Sequence, residues 1–260
     1  MLLHGLASTH RWWDLVTRRL PGRRIIAVDH RGHGQSSTPP GGYTIAALAA
    51  DTATVLDTLH VRQAVIAGHS LGAAVALHLA ADRPDLTGGL CLVDGGIYDP
   101  KQLFGDSWWD AQHAMRLDRR IAPTAAMLTA WAHGRGLPGD AVPALLANYQ
   151  PTPASTPRRG GGGLRLAVEH ERHLAHSLWH TDPAALLPRI TAPVTAILAR
   201  PGDPVAAGQH LRAARHTLDR TPRTVTVHWI GGSHDLPLEH PAHVAGTIHD
   251  LTTRLERATA

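Results

Sequence analysis

The pentapeptide Gly68-His69-Ser70-Leu71-Gly72 has the residue types and spacing of an activated nucleophile. It joins a short apolar run, Gln63 to Ala67, to an alanine-rich run, Ser70 to Ala81, that is ended by Arg83-Pro84. A strand is therefore expected to turn directly into a helix at Ser70. A serine on such a turn needs small residues two positions to either side, because larger side chains would collide with the strand and the helix. The turn lifts the hydroxyl clear of the backbone and aims it at a helix N-terminus, where developing negative charge is favoured. The chemistry this suits is nucleophilic attack on a carbonyl. A glycine turn with a capping serine is the plain structural alternative, and the setting between strand and helix favours the nucleophile.

Such a serine needs a base, and the base needs a group that orients it. The chain holds 20 histidines, so position must choose among them. His234 follows the last expected strand, in the loop Ile230-Gly231-Gly232-Ser233-His234-Asp235-Leu236. That places it at the carboxyl edge of a sheet, the same edge as Ser70, where open α/β sheets receive their ligands.

Other clusters fit plainer roles. His170, His173, His176 and His180 offer pairs at helical spacing that could hold a metal, but no second cluster completes a tetrahedral set, and a polar helix face is expected. Asp29-His30-Arg31-Gly32-His33-Gly34 reads as a tight structural loop. Trp12-Trp13 and Trp108-Trp109 read as core before pocket. Cys91, the only cysteine, sits in a strand as a small buried hydrophobe.

The elements that must position Ser70 and His234 alternate in type. Strands are expected at Arg24–Val28, Gln63–Ala67, Gly89–Val93, Val194–Ala199 and Thr224–Trp229. Helices are expected at Thr44–Leu59, Ser70–Ala81, Val205–Leu218 and Pro241–Arg257, with Thr44 as a cap. This alternation implies βαβ units and a mostly parallel, doubly wound α/β sheet with helices on both faces. Between Gly96 and Thr181 the rhythm breaks into helical segments alone: Ser107–Arg120, Pro123–His133, Asp140–Tyr149 and Leu164–His180. Residues 1–96 and 182–260 thus form an expected core, and 97–181 an inserted helical cap over the ligand edge. Within the insertion, the Pro/Gly-rich stretch 151–163 reads as a mobile hinge or loop.

Taken together, these features resemble the α/β-hydrolase fold superfamily in its capped form. The resemblance rests on His4-Gly5 after a leucine strand, on Asp29-His30-Arg31-Gly32-His33-Gly34-Gln35-Ser36, on the serine elbow, and on His234 followed by Glu239-His240-Pro241. It covers essentially all of the chain outside the cap, and it is specific for fold but not for substrate. The resemblance implies an acid after the penultimate strand, which is Asp203, in the chain order Ser70, Asp203, His234. Asp94, one strand earlier in Leu92-Val93-Asp94-Gly95-Gly96, is the alternative acid, and Asp235 is expected to face away. Matched oxyanion donors would be the backbone N–H groups of Leu6 and Leu71. The chain departs from the pattern in two places. It opens inside what resembles the first core parallel strand, without the antiparallel strands that usually precede it, so that either the start lies upstream or the sheet is short at one edge, and it carries Arg200-Pro201 where relatives more often have a glycine.

Composition narrows the partners. The net charge is +4, and Lys101 is the only lysine, so 24 of the 25 basic side chains are arginine. They occur in scattered pairs, without the clustered stripe that tracking a phosphate backbone needs, so no nucleic-acid partner is expected. A lone cysteine, no apolar run of about 20 residues and no basic-then-apolar leader point to a cytoplasmic protein without a membrane partner. The expected activity is a serine hydrolase acting on a small-molecule carboxylic ester, thioester or lactone through an acyl-enzyme on Ser70, with no cofactor and no metal. Carbon–carbon bond hydrolysis or perhydrolysis by the same triad is the enzymatic alternative, and a non-catalytic small-ligand binder is the alternative of another class.

Overall fold

A computed structural model of the 260-residue chain describes residues 1–115, 117, 124–150, 163, 164, 166–222 and 224–259. Eight strands run, in chain order, β1 (Leu2–Leu3), β2 (Ala27–Val28), β3 (Ala64–His69), β4 (Thr87–Val93), β5 (Tyr149–Gln150), β6 (Gly163–Leu164), β7 (Val194–Arg200) and β8 (Thr226–Gly231). Six of them form one sheet in the order β2-β1-β3-β4-β7-β8, and every pairing in it is parallel. The chain thus has the α/β fold class expected from its alternating pattern. Parallel strands buried on both faces explain why β4 is apolar after Thr87 and buried at all seven positions.

Helices cover both faces. The helix Ile45–Thr58 starts where Thr44 Oγ1 accepts the Ala47 N–H at 3.1 Å, the cap expected from sequence. The helix Leu71–Asp82 is buried at ten of its twelve positions, which its alanine content allows by letting it lie close to the sheet. Together with Leu3, Ile66, Leu90, Leu92, Ala196 and Leu198 these helices build one core layer. The second lies on the other face, where Trp13, Val16, Val93, Ile197, Val244 and Ile248 pack under the helix Pro241–Thr259. Trp12 and Trp13 belong to this core, whereas Trp109 stands 70% exposed. Cys91 is buried between the layers, and burial pushes its thiol up to about 12.

The segment between β4 and β7 is mainly helical: Pro100–Phe104, Trp108–Ala114, Ala125–Gly134, Val142–Leu146 and Val168–Trp179. It also holds one pairing that sequence reasoning missed, the antiparallel two-residue strands β5 and β6. The Pro/Gly-rich stretch lies, but for Gly163, outside the described residues. The segment is tied to the core by the Ile45 N–H, which donates to Ser177 Oγ at 3.0 Å, and is braced within itself by Trp179 Nε1–H donating to Gly105 O at 2.9 Å. No helix among the described residues is long and apolar enough to cross a membrane.

Candidate active site

Ser70 follows β3 and opens the helix Leu71–Asp82 with φ 55° and ψ −119°. Positive φ is costly for a residue with a Cβ, and it persists here because the surrounding backbone leaves no alternative. A Cβ on Gly68 would strike Gly72 O, and one on Gly72 would strike Leu3 O and His4 O. Both glycines are therefore required by main-chain contact, as the spacing of the pentapeptide predicts. A third glycine contributes: a Cβ on Gly95 would come within 2.9 Å of Ser70 Cα.

His234 sits beyond the end of β8, and its imidazole spans two partners. Ser70 Oγ–H donates to Nε2 at 2.8 Å, and Nδ1–H donates to Asp94 Oδ2 at 2.6 Å, in the tautomer that an adjacent carboxylate dictates. The Asp94 side chain is fully buried, while 54% of the His234 side chain is open. The other carboxylate oxygen, Oδ1, accepts the Ala199 N–H at 2.8 Å and the Tyr98 hydroxyl at 2.7 Å. Burial alone would raise the Asp94 pKa, but its bonds to His234, Ala199 and Tyr98 hold it below the ordinary carboxylate value. For His234, partial desolvation by the protein around it favours the neutral ring, yet the bond and charge of Asp94 outweigh it and the pKa is raised.

Asp203, the carboxylate expected to orient the histidine, does not do so. It is exposed after β7, and its Oδ1 accepts the Ala206 N–H at 2.8 Å as the N-cap of the helix Pro204–Leu218. The reason lies in the sheet order. β3 and β4 are neighbours, so Ser70 and Asp94 emerge side by side, and the Asp94 backbone, at φ 43°, turns its carboxylate into that gap. The alternative acid is thus the one in contact. Asp235 is half-buried beside Ser233, where its charge also acts on His234, and burial raises its pKa.

The expected oxyanion donors flank the serine. Among the described residues neither the Leu6 nor the Leu71 N–H donates to another protein group, so both are free for a ligand. The Leu6 loop is fixed by buried histidines that sequence reasoning left as loop residues. His4 Nδ1–H donates to Gly5 O at 2.7 Å, and His4 Nε2 accepts the His30 N–H at 3.0 Å. His33 Nε2 accepts the N–H of Ala7, a residue at φ 56°, at 3.2 Å. Burial drives all three histidines below the ordinary value, His30 to about 3.

Two further residues brace the histidine loop. His69 Nε2–H donates to the His234 carbonyl at 2.7 Å, and burial lowers its pKa to about 3. Glu239 accepts the Ser233 N–H at 2.7 Å, the Ser233 hydroxyl at 2.6 Å and Arg135 Nη2–H at 3.0 Å. The open side of His234 borders a cavity of about 590 Å³ that is also lined by Arg135, Pro201, Gly202, His210 and Glu239. Of the histidines that offered a metal, His170 stacks on Tyr43 at 3.7 Å, and His176 and His180 lie on the outer face. No group of three or more His, Cys, Asp or Glu converges among the described residues.

The chain is similar to known proteins over this architecture. Lipase LipV of Mycobacterium tuberculosis (strain ATCC 25618 / H37Rv) is 38% identical over 97 residues, 37% of each chain. The curated relatives are matched over only 28% to 37% of their own length. Among solved structures, E-2-(acetamidomethylene)succinate hydrolase superposes with a TM-score of 0.72 at 24% identity, over 97% of this chain and 90% of that one. The thioesterase domain from the curacin biosynthetic pathway superposes with a TM-score of 0.68 at 21% identity, over 96% and 89%. These two likenesses speak for the fold. Because the alpha/beta hydrolase fold model matches residues 1–241, a span that takes in Ser70, Asp94 and His234, the chain belongs to the alpha/beta hydrolase fold family.

Proposed function

We propose that the chain is a serine hydrolase that cleaves a small-molecule carboxylic ester, thioester or lactone. The observation that carries this reading is the unbroken relay from Ser70 Oγ through His234 to Asp94, with bonds of 2.8 and 2.6 Å. Ser70 Oγ attacks the carbonyl carbon while His234 Nε2 takes the hydroxyl proton. The tetrahedral oxyanion accepts hydrogen bonds from the Leu6 and Leu71 N–H groups. As the intermediate collapses, the leaving alkoxide or thiolate takes the proton back from His234. Water, deprotonated by the same nitrogen, then attacks the acyl-enzyme, releasing the acid and restoring Ser70. Asp94 holds the Nδ1–H tautomer and stabilises the imidazolium. The helical segment 97–181 acts as a cap over the cavity beside His234. The same triad can serve other acyl chemistry, but hydrolysis needs only water.

The test is covalent. A fluorophosphonate probe labels Ser70, and Ser70→Ala abolishes labelling and lowers kcat by roughly 10³- to 10⁶-fold, as in other serine triads. A folded protein that neither labels nor turns over any ester, thioester or lactone overturns the reading and leaves a ligand-binding role.

A further inference from the structure

We infer that the cavity beside His234 selects esters that carry a free carboxylate, with Arg135 as the group that receives it; this rests on the serine-hydrolase reading above. Arg135 and His234 line the same cavity of about 590 Å³, a size suited to a small molecule. Arg135 is the one permanent cation among the lining residues, and its side chain remains 34% exposed. The guanidinium is held in place before any ligand arrives. Nη2–H is bound to Glu239 at 3.0 Å, and the Trp131 ring lies 4.9 Å from the guanidinium carbon.

Glu239 does not cancel this site for an anion. Both of its oxygens are taken, one by Arg135 and the Ser233 hydroxyl and the other by the Ser233 N–H, which leaves it ill placed to bind a substrate cation. Arginine carries five N–H donors in a planar fork, and among the described residues the rest of this fork has no protein acceptor. A carboxylate entering the cavity would meet that fork in the geometry that suits bidentate pairing. The remaining walls, Pro201, Gly202, His210, Gly232 and Ser233, carry no fixed charge to oppose it.

The experiment compares kcat/KM at pH 7.5 for monoethyl glutarate, the neutral ester ethyl butyrate and the cationic ester butyrylcholine. The half-ester is expected to exceed the neutral ester by about 10- to 100-fold, the range for one charged hydrogen-bonded contact. Arg135→Gln collapses that ratio towards one, and Arg135→Lys retains part of it, because charge survives without the fork. Scoring the ratio within each protein removes any general loss from loosening Glu239. A wild-type ratio at or below one, a ratio unmoved by Arg135→Gln, or a preference for butyrylcholine overturns the inference while leaving the hydrolase reading intact. Absence of turnover on all three esters together with an unlabelled Ser70 overturns both.

Discussion

Replacing Asp94 by Asn isolates the orienting role of its carboxylate with little change of shape. Asn keeps one oxygen for the Ala199 N–H and the Tyr98 hydroxyl, which hold the present Oδ1 at 2.8 and 2.7 Å. The amide nitrogen then takes the place of Oδ2, 2.6 Å from His234 Nδ1, and it can only donate. The imidazole must turn its lone pair to Nδ1 and its proton to Nε2, so the atom facing Ser70 can no longer accept the hydroxyl proton. A wrong tautomer of this kind costs on the order of 10⁴ in kcat, or about 5.5 kcal/mol at about 1.4 kcal/mol per decade. Removing the carboxylate also removes what raises the His234 pKa, so the residual activity rises with pH from a lower value than in the wild type. Asp203→Asn supplies the contrast. Asn caps a helix as well as Asp does, so activity stays within about twofold. The assay is kcat/KM across pH 5 to 9 on a p-nitrophenyl ester, with thermal unfolding of each variant as the folding control. If Asp203→Asn costs the four decades and Asp94→Asn is mild, the assignment of the acid is wrong.

Two further outcomes follow from burial. Gly72→Ala drives a methyl group into the carbonyls of Leu3 and His4, which are backbone and cannot rotate away; destabilisation of at least about 2 kcal/mol is expected from urea unfolding, and a neutral result would refute the main-chain requirement for glycine at the elbow. The second concerns acid. His30 and His69 are depressed to about 3 in the folded state, so the unfolded chain binds protons that the folded one refuses. Stability from these groups is complete above the unfolded value of about 6.5 and falls as pH drops towards about 3, by up to about 1.4 kcal/mol per pH unit for each group. Urea midpoints that do not move between pH 6.5 and 4.5 would contradict this.

That Ser70 and His234 should meet was legible because each position is announced by local rules. Ser70 needs glycine at 68 and 72 for steric reasons that act within five residues, and His234 needs only to follow the last strand. The carboxylate that meets His234 was harder to read, since Asp94 and Asp203 both follow strands, and the choice depends on which strand lies beside β3. Two local signals did bear on it. Asp203-Pro204 is a helix start, with a capping carboxylate followed by a proline at the first helical position. Asp94 is followed by Gly95-Gly96, and the structure explains them: Gly95 lies against the Ser70 backbone and Gly96 adopts φ 70°. Glycines of that kind mark a close crossing of chains. The buried roles of His4, His30 and His33 were hidden by histidine abundance, and the β5–β6 pairing by two-residue strands too short to show alternation.

The elbow has a consequence for how this scaffold can change. Gly68, Gly72 and Gly95 close in on the turn through main-chain atoms, so its geometry is enforced by polypeptide and not by the hydroxyl it presents. Ser70 is the apex of that frame, with its side chain directed outward to His234. The apex is thus an interchangeable part: a thiol or a carboxylate grafted there would inherit the same pose and the same partner. Reaction type is decoupled from folding at this single residue.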